Sequence, residues 1–164
     1  MDIRKSTQND LARIMEIYAY AREYMASHGN HNQWGPTSWP PVELICEDIR
    51  LGQSYVCEDN GEIVGTFYYT QGEDIEPTYR VITGGSWMNN DAYGVVHRVA
   101  SDGSRKGIGA FCLNWAYAQC GHLRIDTHPD NKTMQQLLSK LGFEKRGIIY
   151  VEEDDYPRYA YEKV

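Results

Sequence analysis

The chain has 164 residues, of which 41% are hydrophobic and 24% charged, as in an ordinary soluble globular domain. The length suits one domain over residues 1–164, and the net charge of −7 argues against general nucleic-acid binding, which depends on neutralising phosphates. The sequence has no run of about 18 apolar residues that could span a membrane, and residues 1–5 lack the apolar stretch of a secretory signal. We therefore expect a cytoplasmic protein that binds neither membranes nor nucleic acid.

The hydrophobic pattern predicts alternating helices and strands without repeats or linkers. In chain order we expect a strand at 3–6, helices at 11–27 and 42–51, hairpin strands at 54–58 and 62–69, a strand at 93–100, a helix at 107–119, a strand at 122–127, a helix at 131–141 and closing strands at 143–151 and 157–163. Loops are predicted at 28–41, at 71–92 with one helical turn, and at the acidic turn 152–155. This order predicts a mixed α/β fold.

The cysteines and the distribution of charge each allow two interpretations. Cys46, Cys57, Cys112 and Cys120 lie among apolar residues without metal-type spacing, so free buried thiols are the simplest interpretation and disulfides the alternative. Residues 98–146 carry a net charge of +4 and the rest of the chain −11. A basic segment in an acidic protein either holds an anionic ligand or is a solvated face.

The clearest chemical pattern lies where the strand ending near Ser101 runs into a glycine-bearing turn before a helix. Free N–H groups at a helix start form an anion site, and Gly107 and Gly109 let a phosphate approach the backbone. The Walker and GxGxxG patterns are both absent, because Ile108 and Cys112 stand where they require glycine. Another phosphate-bearing ligand and a plain helix start both remain as interpretations.

Two segments resemble the acyl-CoA pattern of the GNAT family of N-acyltransferases. Residues 104–109, Ser-Arg-Lys-Gly-Ile-Gly, resemble the family's Arg/Gln-x-x-Gly-x-Gly/Ala loop. Further on, a strand end is followed by Asn131, a short helix and residues 140–143, Lys-Leu-Gly-Phe, with the family's spacing. The two segments occur in the family's order, and the predicted elements around them fit the family over the whole chain.

The resemblance implies a mixed, mostly antiparallel sheet of about seven strands, flanked by about four helices and splayed where acyl-CoA binds. It implies acetyl-CoA as the acyl-donor cosubstrate, with no metal. The strand backbone would pair with the pantetheine amides, the loop amides would hold the pyrophosphate, and Asn131 would bond the pantetheine arm. The implied cofactor positions are Val99, Ala100, Ser101, Ser104, Arg105, Lys106, Gly107, Ile108, Gly109, Ala110, Asn131 and Lys140.

Two positions depart from the family pattern. Ser104 stands where the loop usually begins with Arg or Gln, which weakens one phosphate-directed donor. Leu138 stands where many members have a tyrosine that protonates the departing thiolate. Loss of acid catalysis lowers rates by about 10²–10⁴-fold when nothing replaces it, although a thiolate leaves without help.

Candidate proton-transfer residues therefore come from elsewhere, in the order His97, His128 and Tyr93. Period-two alternation would place Tyr93, Val95, His97 and Val99 on one strand face beside the acceptor, and histidine side chains titrate near neutral pH. His97 can equally be a sheet histidine without a catalytic role. His128 and Asp126 lie at the end of the neighbouring strand, where Asp126 is more often structural.

For the acceptor, Trp34 and Trp87 fall in predicted loops, where indoles can wall a pocket or receive a cation or simply anchor the loop. The acidic segment 73–76, Glu-Asp-Ile-Glu, can attract an amine or be a solvated loop. We expect acetyl transfer from acetyl-CoA to a primary amine of a small molecule or peptide, by direct attack in a ternary complex. A non-catalytic acyl-CoA sensor and a domain without CoA affinity are the alternatives, and a homodimer is compatible with the resemblance.

Overall fold

The computed structural model describes residues 1–34, 38–152 and 154–164. Its strands are β1 (Asp2–Lys5), β2 (Ser54–Asp59), β3 (Glu62–Gly72), β4 (Tyr93–Ser101), β5 (Leu123–Thr127), β6 (Glu144–Tyr150) and β7 (Pro157–Lys163). Its α-helices are α1 (Leu11–Ser27), α2 (Val42–Arg50), α3 (Ile108–Cys120) and α4 (Lys132–Lys140), with single 3-10 turns at Gln8–Asp10 and Pro77–Tyr79. Residues 35–37 of the predicted loop and residue 153 of the predicted turn lie outside the described residues.

All seven strands form one sheet in the order β1-β2-β3-β4-β5-β7-β6. Every pairing is antiparallel except that of β4 with β5, which is parallel and limited to Gly94–Leu123 and Val95–Arg124. Beyond these two pairs the strands separate, so the edge of β4 that turns toward β5 has no strand partner from Val96 onward in the part of the chain that the structure describes. The predicted sheet of about seven strands with four helices and a central splay is confirmed.

Helices cover both faces of the sheet. Val56 of β2 packs with α1 and α2, whereas its neighbour Cys57 packs with α3 and α4. Because adjacent strand residues point to opposite faces, the two helix pairs lie on opposite sides. The larger core, under α3 and α4, includes the fully buried Leu113, Leu123 and Leu138.

A β-bulge in β4 overturns the predicted alternation along that strand. Thr66 of β3 pairs with Ala100 while Tyr68 pairs with His97, so β4 contains one extra residue. Arg98 takes up the irregularity in the left-handed region, with φ of 54°. Val99 consequently packs against the α3 and α4 side, as Val96 does, and the expectation that it shares a face with Tyr93, Val95 and His97 is wrong.

Candidate active site

A groove of about 260 Å³ opens where β4 separates from β5. The β4 residues Val99, Ala100 and Ser101 form one wall, and Gly109 at the start of α3 also lines the groove. The remaining wall comes from α1 and α4, through Tyr20, Ala21, Tyr24, Met25, Asn131, Thr133, Met134 and Leu137. The structure thus brings together cofactor candidates from two distant segments beside an unpaired strand edge.

The start of α3 presents backbone donors at this groove. Gly107 caps the helix with φ of 83°, which glycine adopts without strain. The first helical hydrogen bond runs from Phe111 N to Gly107 O, at 2.9 Å. The amides of Ile108, Gly109 and Ala110 therefore precede the helical hydrogen-bond ladder and are suited to an anion.

The side chains of the predicted loop contribute less than their charges suggest. Ser104 uses both its amide N–H and its hydroxyl on Asp102 Oδ1, at 2.9 and 2.6 Å. The guanidinium of Arg105 is tied to Asp59 at 2.8 Å and to Glu62 at 3.2 Å. Lys106 is exposed with no ion pair among the described residues, which leaves its ammonium available to a phosphate.

Two positions of α4 differ in their relation to the groove. Asn131 lines it and caps α4 through Oδ1, which accepts from Met134 N at 3.0 Å. Its Nδ2 donates to Gln33 Oε1 at 3.2 Å. Lys140 is exposed in the last turn of α4 and does not line the groove, so its contact with the cofactor stays a prediction.

Leu138, at the position where a tyrosine would act as acid, lies wholly in the core. It is 0% exposed and packs with the buried residues beneath α3 and α4. The groove is lined instead by its neighbours Met134 and Leu137. The side chains of Met134, Leu137 and Leu138 cannot donate a proton, so none of them can act as the acid that protonates a departing thiolate.

A second cavity, of about 290 Å³, meets the groove at Met25, Val99, Asn131 and Met134. Its polar and aromatic lining comes from many segments: Gln33, Trp34, Trp39, Glu76, Thr78, His97, Arg98, Asp126, Thr127, Glu152 and Arg158. The junction lies where the two strands diverge. An acyl group at the inner end of the groove would therefore open onto this second space, which we call the acceptor cavity.

His97 lies between two carboxylates in the acceptor cavity. Its Nε2 is 2.6 Å from Glu76 Oε1, and its Nδ1 is 4.0 Å from Asp126 Oδ2. Burial would raise the pKa of Glu76, but the hydrogen bond and charge of His97 outweigh it and hold that pKa below its usual value. Glu76 is thus an ionised partner that fixes the imidazole.

Asp126 is itself held by Tyr79, whose hydroxyl donates to Oδ2 at 2.7 Å. Burial, reinforced by the charge of Asp126, raises the pKa of Tyr79 well above its ordinary value. Tyr79 is therefore a neutral donor that orients the carboxylate without neutralising its charge.

Three buried polar atoms of the lining have no hydrogen-bond partner among the described residues: Thr78 Oγ1, Thr127 Oγ1 and Arg98 Nε. Thr127 is only 1% exposed. Buried polar groups in folded proteins are nearly always paired. Because these three unpaired atoms all lie around one cavity, the cavity is suited to a polar molecule.

Three predicted site residues lie outside this cavity. The hydroxyl of Tyr93 accepts from Glu76 N at 3.2 Å, and its ring lies under Arg124. The ring of Trp87 also packs on Arg124, while its indole N–H donates to Tyr79 O at 2.8 Å. The structure thus places both side chains against the segment before β4, and their predicted roles in proton transfer and acceptor binding stay predictions.

His128 is also removed from the reacting region. Its Nδ1 accepts from Asp130 N at 2.9 Å, and the side chain is buried against Tyr156 without lining the cavity. Burial, with the nearby charge of Arg158, lowers the pKa of His128. The ring accepts a hydrogen bond within the turn before α4, and its proton-transfer role stays a prediction.

The sequence predicted some of the cavity residues only in part. Glu76 belongs to the acidic segment that was expected to attract an amine or stay solvated, but its contact with His97 spans 21 residues and had no local signal. Glu152 belongs to the predicted acidic turn without an assigned role, and Thr78, Thr127 and Arg158 carried no local pattern. Trp34, which was predicted, does line the cavity, together with Trp39.

Comparisons with known proteins agree with this geometry. A family model described as the acetyltransferase (GNAT) family matches residues 14–143. A GNAT-family acetyltransferase structure from Streptococcus agalactiae 2603 has a TM-score of 0.83 and 29% identity, covering 99% of this chain and 94% of that one. A Staphylococcus aureus Mu50 protein assigned to the acetyltransferases has a TM-score of 0.71 and 27% identity, covering 99% and 98%. No curated protein matches the sequence.

A more distant structure shows the same fold. The ribosomal-protein-alanine N-acetyltransferase of Brucella melitensis has a TM-score of 0.65 at 19% identity, covering 100% of this chain and 99% of that one. At this identity the likeness concerns the fold alone.

The fold, the groove and the family match define an acyltransferase, and the chain belongs to the GNAT family of acetyltransferases. The resemblance found in the two sequence segments is confirmed, and the class of reaction is acyl transfer to an amine. Within the described ranges, no helix is long and apolar enough to cross a bilayer. No cluster of three or more potential metal ligands occurs in the described part of the chain.

Proposed function

We propose that the protein transfers an acetyl group from acetyl-CoA to a primary amine by direct attack in a ternary complex. The observation that carries this proposal is the junction of two cavities. One lies along an unpaired strand edge and a helix start, and the other contains the hydrogen-bonded pair His97 and Glu76. A donor in the first and an acceptor in the second would meet beside Val99.

The residues of the groove fit acetyl-CoA, which supplies an activated thioester when bound. The free edge of β4 at Val99 to Ser101 offers backbone donors and acceptors to the pantetheine amides, as an added strand would. The amides of Ile108 to Ala110 would hold the pyrophosphate, with Lys106 adding charge. An added Cβ at Gly109 would lie 3.2 Å from Leu137, so this position leaves little spare room.

His97 would take the proton of the acceptor amine. With Glu76 ionised, Nε2 donates to its carboxylate, which leaves the lone pair of Nδ1 as the base, directly or through a water. The amine nitrogen bonds to the acyl carbon as the carbon–sulfur bond breaks, and its proton passes to Nδ1. CoA leaves as a thiolate that solvent protonates, which matches the apolar residues found on α4.

The burial of Leu138 favours one second candidate, a non-catalytic domain that senses acyl-CoA. It would use the same groove and leave the acceptor cavity without a reaction. The four cysteines are free thiols, which supports a reducing compartment such as the cytoplasm for either function.

Thiol release from acetyl-CoA against a panel of primary amines separates these functions. We expect amine-dependent release with formation of the acetylated amine. Binding of acetyl-CoA without release for any amine would support the sensor, and no binding would contradict both.

A further inference from the structure

We propose that the amine acceptor carries a second positive charge, as an aliphatic diamine does, and that carboxylates of the acceptor cavity hold the second ammonium. This inference rests on the proposed acetyl transfer, because it identifies the substrate class of that same cavity. It is drawn from the charges, the unpaired polar atoms and the aromatic walls of the cavity.

The carboxylates of the lining outweigh its cations. Glu76, Asp126 and Glu152 line the cavity together with two arginines, Arg98 and Arg158. Neither Asp126 nor Glu152 has an Arg or Lys partner among the described residues, and the imidazole of His97 is the one basic group paired with Asp126 there. The lining therefore keeps negative charge that a bound cation would neutralise.

Both arginines are already neutralised from outside the cavity. Arg98 Nη2 binds Asp48 Oδ2 at 2.6 Å, and Arg158 Nη2 binds Asp154 Oδ2 at 2.8 Å. Counted with these two partners, the site holds five carboxylates against two guanidinium groups. Its net charge is negative whether or not His97 is protonated.

The unpaired hydroxyls point to a ligand as well as to a charge. Thr127 Oγ1, in a residue only 1% exposed, and Thr78 Oγ1 have no hydrogen-bond partner within the described ranges and can accept hydrogen bonds from an ammonium group. The indoles of Trp34 and Trp39 line the same space, where an aromatic face attracts a cation. Arg98 Nε is a donor without a partner among the described residues, and we assign it to an oxygen at the acyl end of the cavity.

An acceptor that carries a carboxylate fits this cavity poorly. It would meet the charges of Asp126 and Glu152, and the charge of each guanidinium in the lining is already paired with a carboxylate. Arg158 Nη1 already donates to Asp154 Oδ1 and to the carbonyls of Tyr156 and Pro157, at 3.2 to 3.3 Å. The cavity volume of about 290 Å³ also matches a small amine, since pockets for drug-sized ligands begin near 300 Å³.

An acceptor series of matched length tests the inference in the full-length protein. The probes are 1,5-diaminopentane, 5-amino-1-pentanol and 5-aminopentanoate, which end in an ammonium, a hydroxyl and a carboxylate. We expect kcat/KM to be at least about tenfold higher for the diamine than for the amino alcohol, and lowest for the aminopentanoate. Calorimetric titration of each probe in the presence of CoA should give the same order in Kd.

A variant locates the second charge. Glu152→Gln should reduce the preference for the diamine over the amino alcohol by about threefold, as expected for an exposed ion pair. Glu43→Gln, an exposed glutamate at the start of α2, should leave the preference unchanged. A preference unaffected by Glu152→Gln would overturn the assignment of this carboxylate.

The binding and turnover measurements distinguish the two proposals. Selective diamine binding without acetylation of any amine would support the dicationic ligand and overturn the proposed acetyl transfer. Equal kcat/KM and Kd for the three probes, or a preference for the aminopentanoate, would overturn the inference and leave acetyl transfer in place.

Discussion

The contact between His97 and Glu76 joins a strand to a 3-10 turn 21 residues earlier. Glu76 forms no second ion pair among the described residues. Burial raises the pKa of its carboxyl, but the hydrogen bond with His97 helps to hold that pKa below its usual value, so Glu76 stays ionised. A carboxylate in this position can fix the tautomer and direction of the ring. The catalytic proposal therefore depends on His97 and Glu76 together.

His97→Ala should lower kcat by about 10²–10⁴-fold, because the acceptor amine would lose its base. The KM for acetyl-CoA should change little, since His97 lies in the acceptor cavity and outside the groove. Steady-state kinetics with a saturating amine measures both. His31→Ala, at an exposed histidine, is the control, and an undiminished kcat in His97→Ala would contradict the assignment.

Leu138→Tyr tests whether the family's tyrosine can be restored. Because Leu138 is 0% exposed, the larger ring and its hydroxyl should overpack the core and lower the free energy of unfolding by about 1–3 kcal/mol. We expect no gain in kcat. Urea unfolding and steady-state kinetics measure the two effects, with Leu138→Met as a control of conserved volume. Unchanged stability together with a higher kcat would show that the position opens onto the groove.

At this scale the sequence predicts some residues and conceals others. Leu138 is visible as a departure because its motif has fixed spacing. The bulge at Arg98 is hidden, since a non-glycine residue at φ of 54° leaves no compositional sign. The extra residue moves Val99 to the other face, so a period-two argument along β4 fails beyond His97 even though the strand itself is predicted well.

The start of α1 shows how several local contacts stabilise one element. Asp10 Oδ2 accepts from Thr7 N at 2.7 Å, which is one of the two contacts of a capping box. Arg4 adds two hydrogen bonds to the same carboxylate, at 2.8 and 3.0 Å. The arginine, aided by Thr7 and opposed by burial, lowers the pKa of Asp10 to about 2 from 3.8.

Asp10→Asn should therefore lose stability in a pH-dependent way. A folded-state pKa below the unfolded value means that the carboxylate stabilises the fold above about pH 3.8 and that this contribution disappears as the pH falls toward 2. We expect a loss of about 1 kcal/mol at pH 7, because Arg4 is partly exposed and screened by solvent.

Urea unfolding at pH 7, 5 and 3 measures this dependence, and Asp155→Asn, at an exposed aspartate, is the control. The difference between wild type and Asp10→Asn should narrow at pH 3. A difference that stays constant or grows toward acid would contradict the role of the ionised carboxylate.

Short-range sequence patterns predict the helices and strands, but they do not predict which of these elements pack against one another. Helical spacing and the Asp59-Asn60-Gly61 turn predict α1, β2 and β3 closely. The 3-10 turn at Pro77–Tyr79 was expected only as one helical turn within a loop, and its position against β4 depends on contacts such as Tyr79 with Asp126. The acceptor cavity forms from such long-range contacts, which local patterns do not encode.

Across the whole molecule, one seven-stranded sheet links the N-terminal and C-terminal halves. We propose on this ground that the chain is a single folding unit. Far-ultraviolet circular dichroism and tryptophan fluorescence should then give coincident urea transitions. Two separated transitions would contradict one domain.

The proposed acetyl transfer depends on the splay between β4 and β5. Two residue pairs hold the strands together, and their divergence creates both the groove and the cavity beyond it. The sequence predicted the groove through a family resemblance, because glycines and Asn131 occur at fixed spacing. The acceptor cavity had no such motif, so the sequence could name Asp126 and the acidic segment 73–76 but could not show that Glu76, Asp126 and Glu152 line one space.

Calorimetric titration of acetyl-CoA into the wild type and Gly109→Trp tests whether the groove binds the acyl donor. We expect binding by the wild type and its loss in Gly109→Trp, whose indole would fill the groove beside Leu137. Asn114→Trp places the same side chain on an exposed position of α3 outside the groove and should bind normally. With all three proteins folded by circular dichroism, undiminished binding in Gly109→Trp, or no binding by the wild type, would contradict the account.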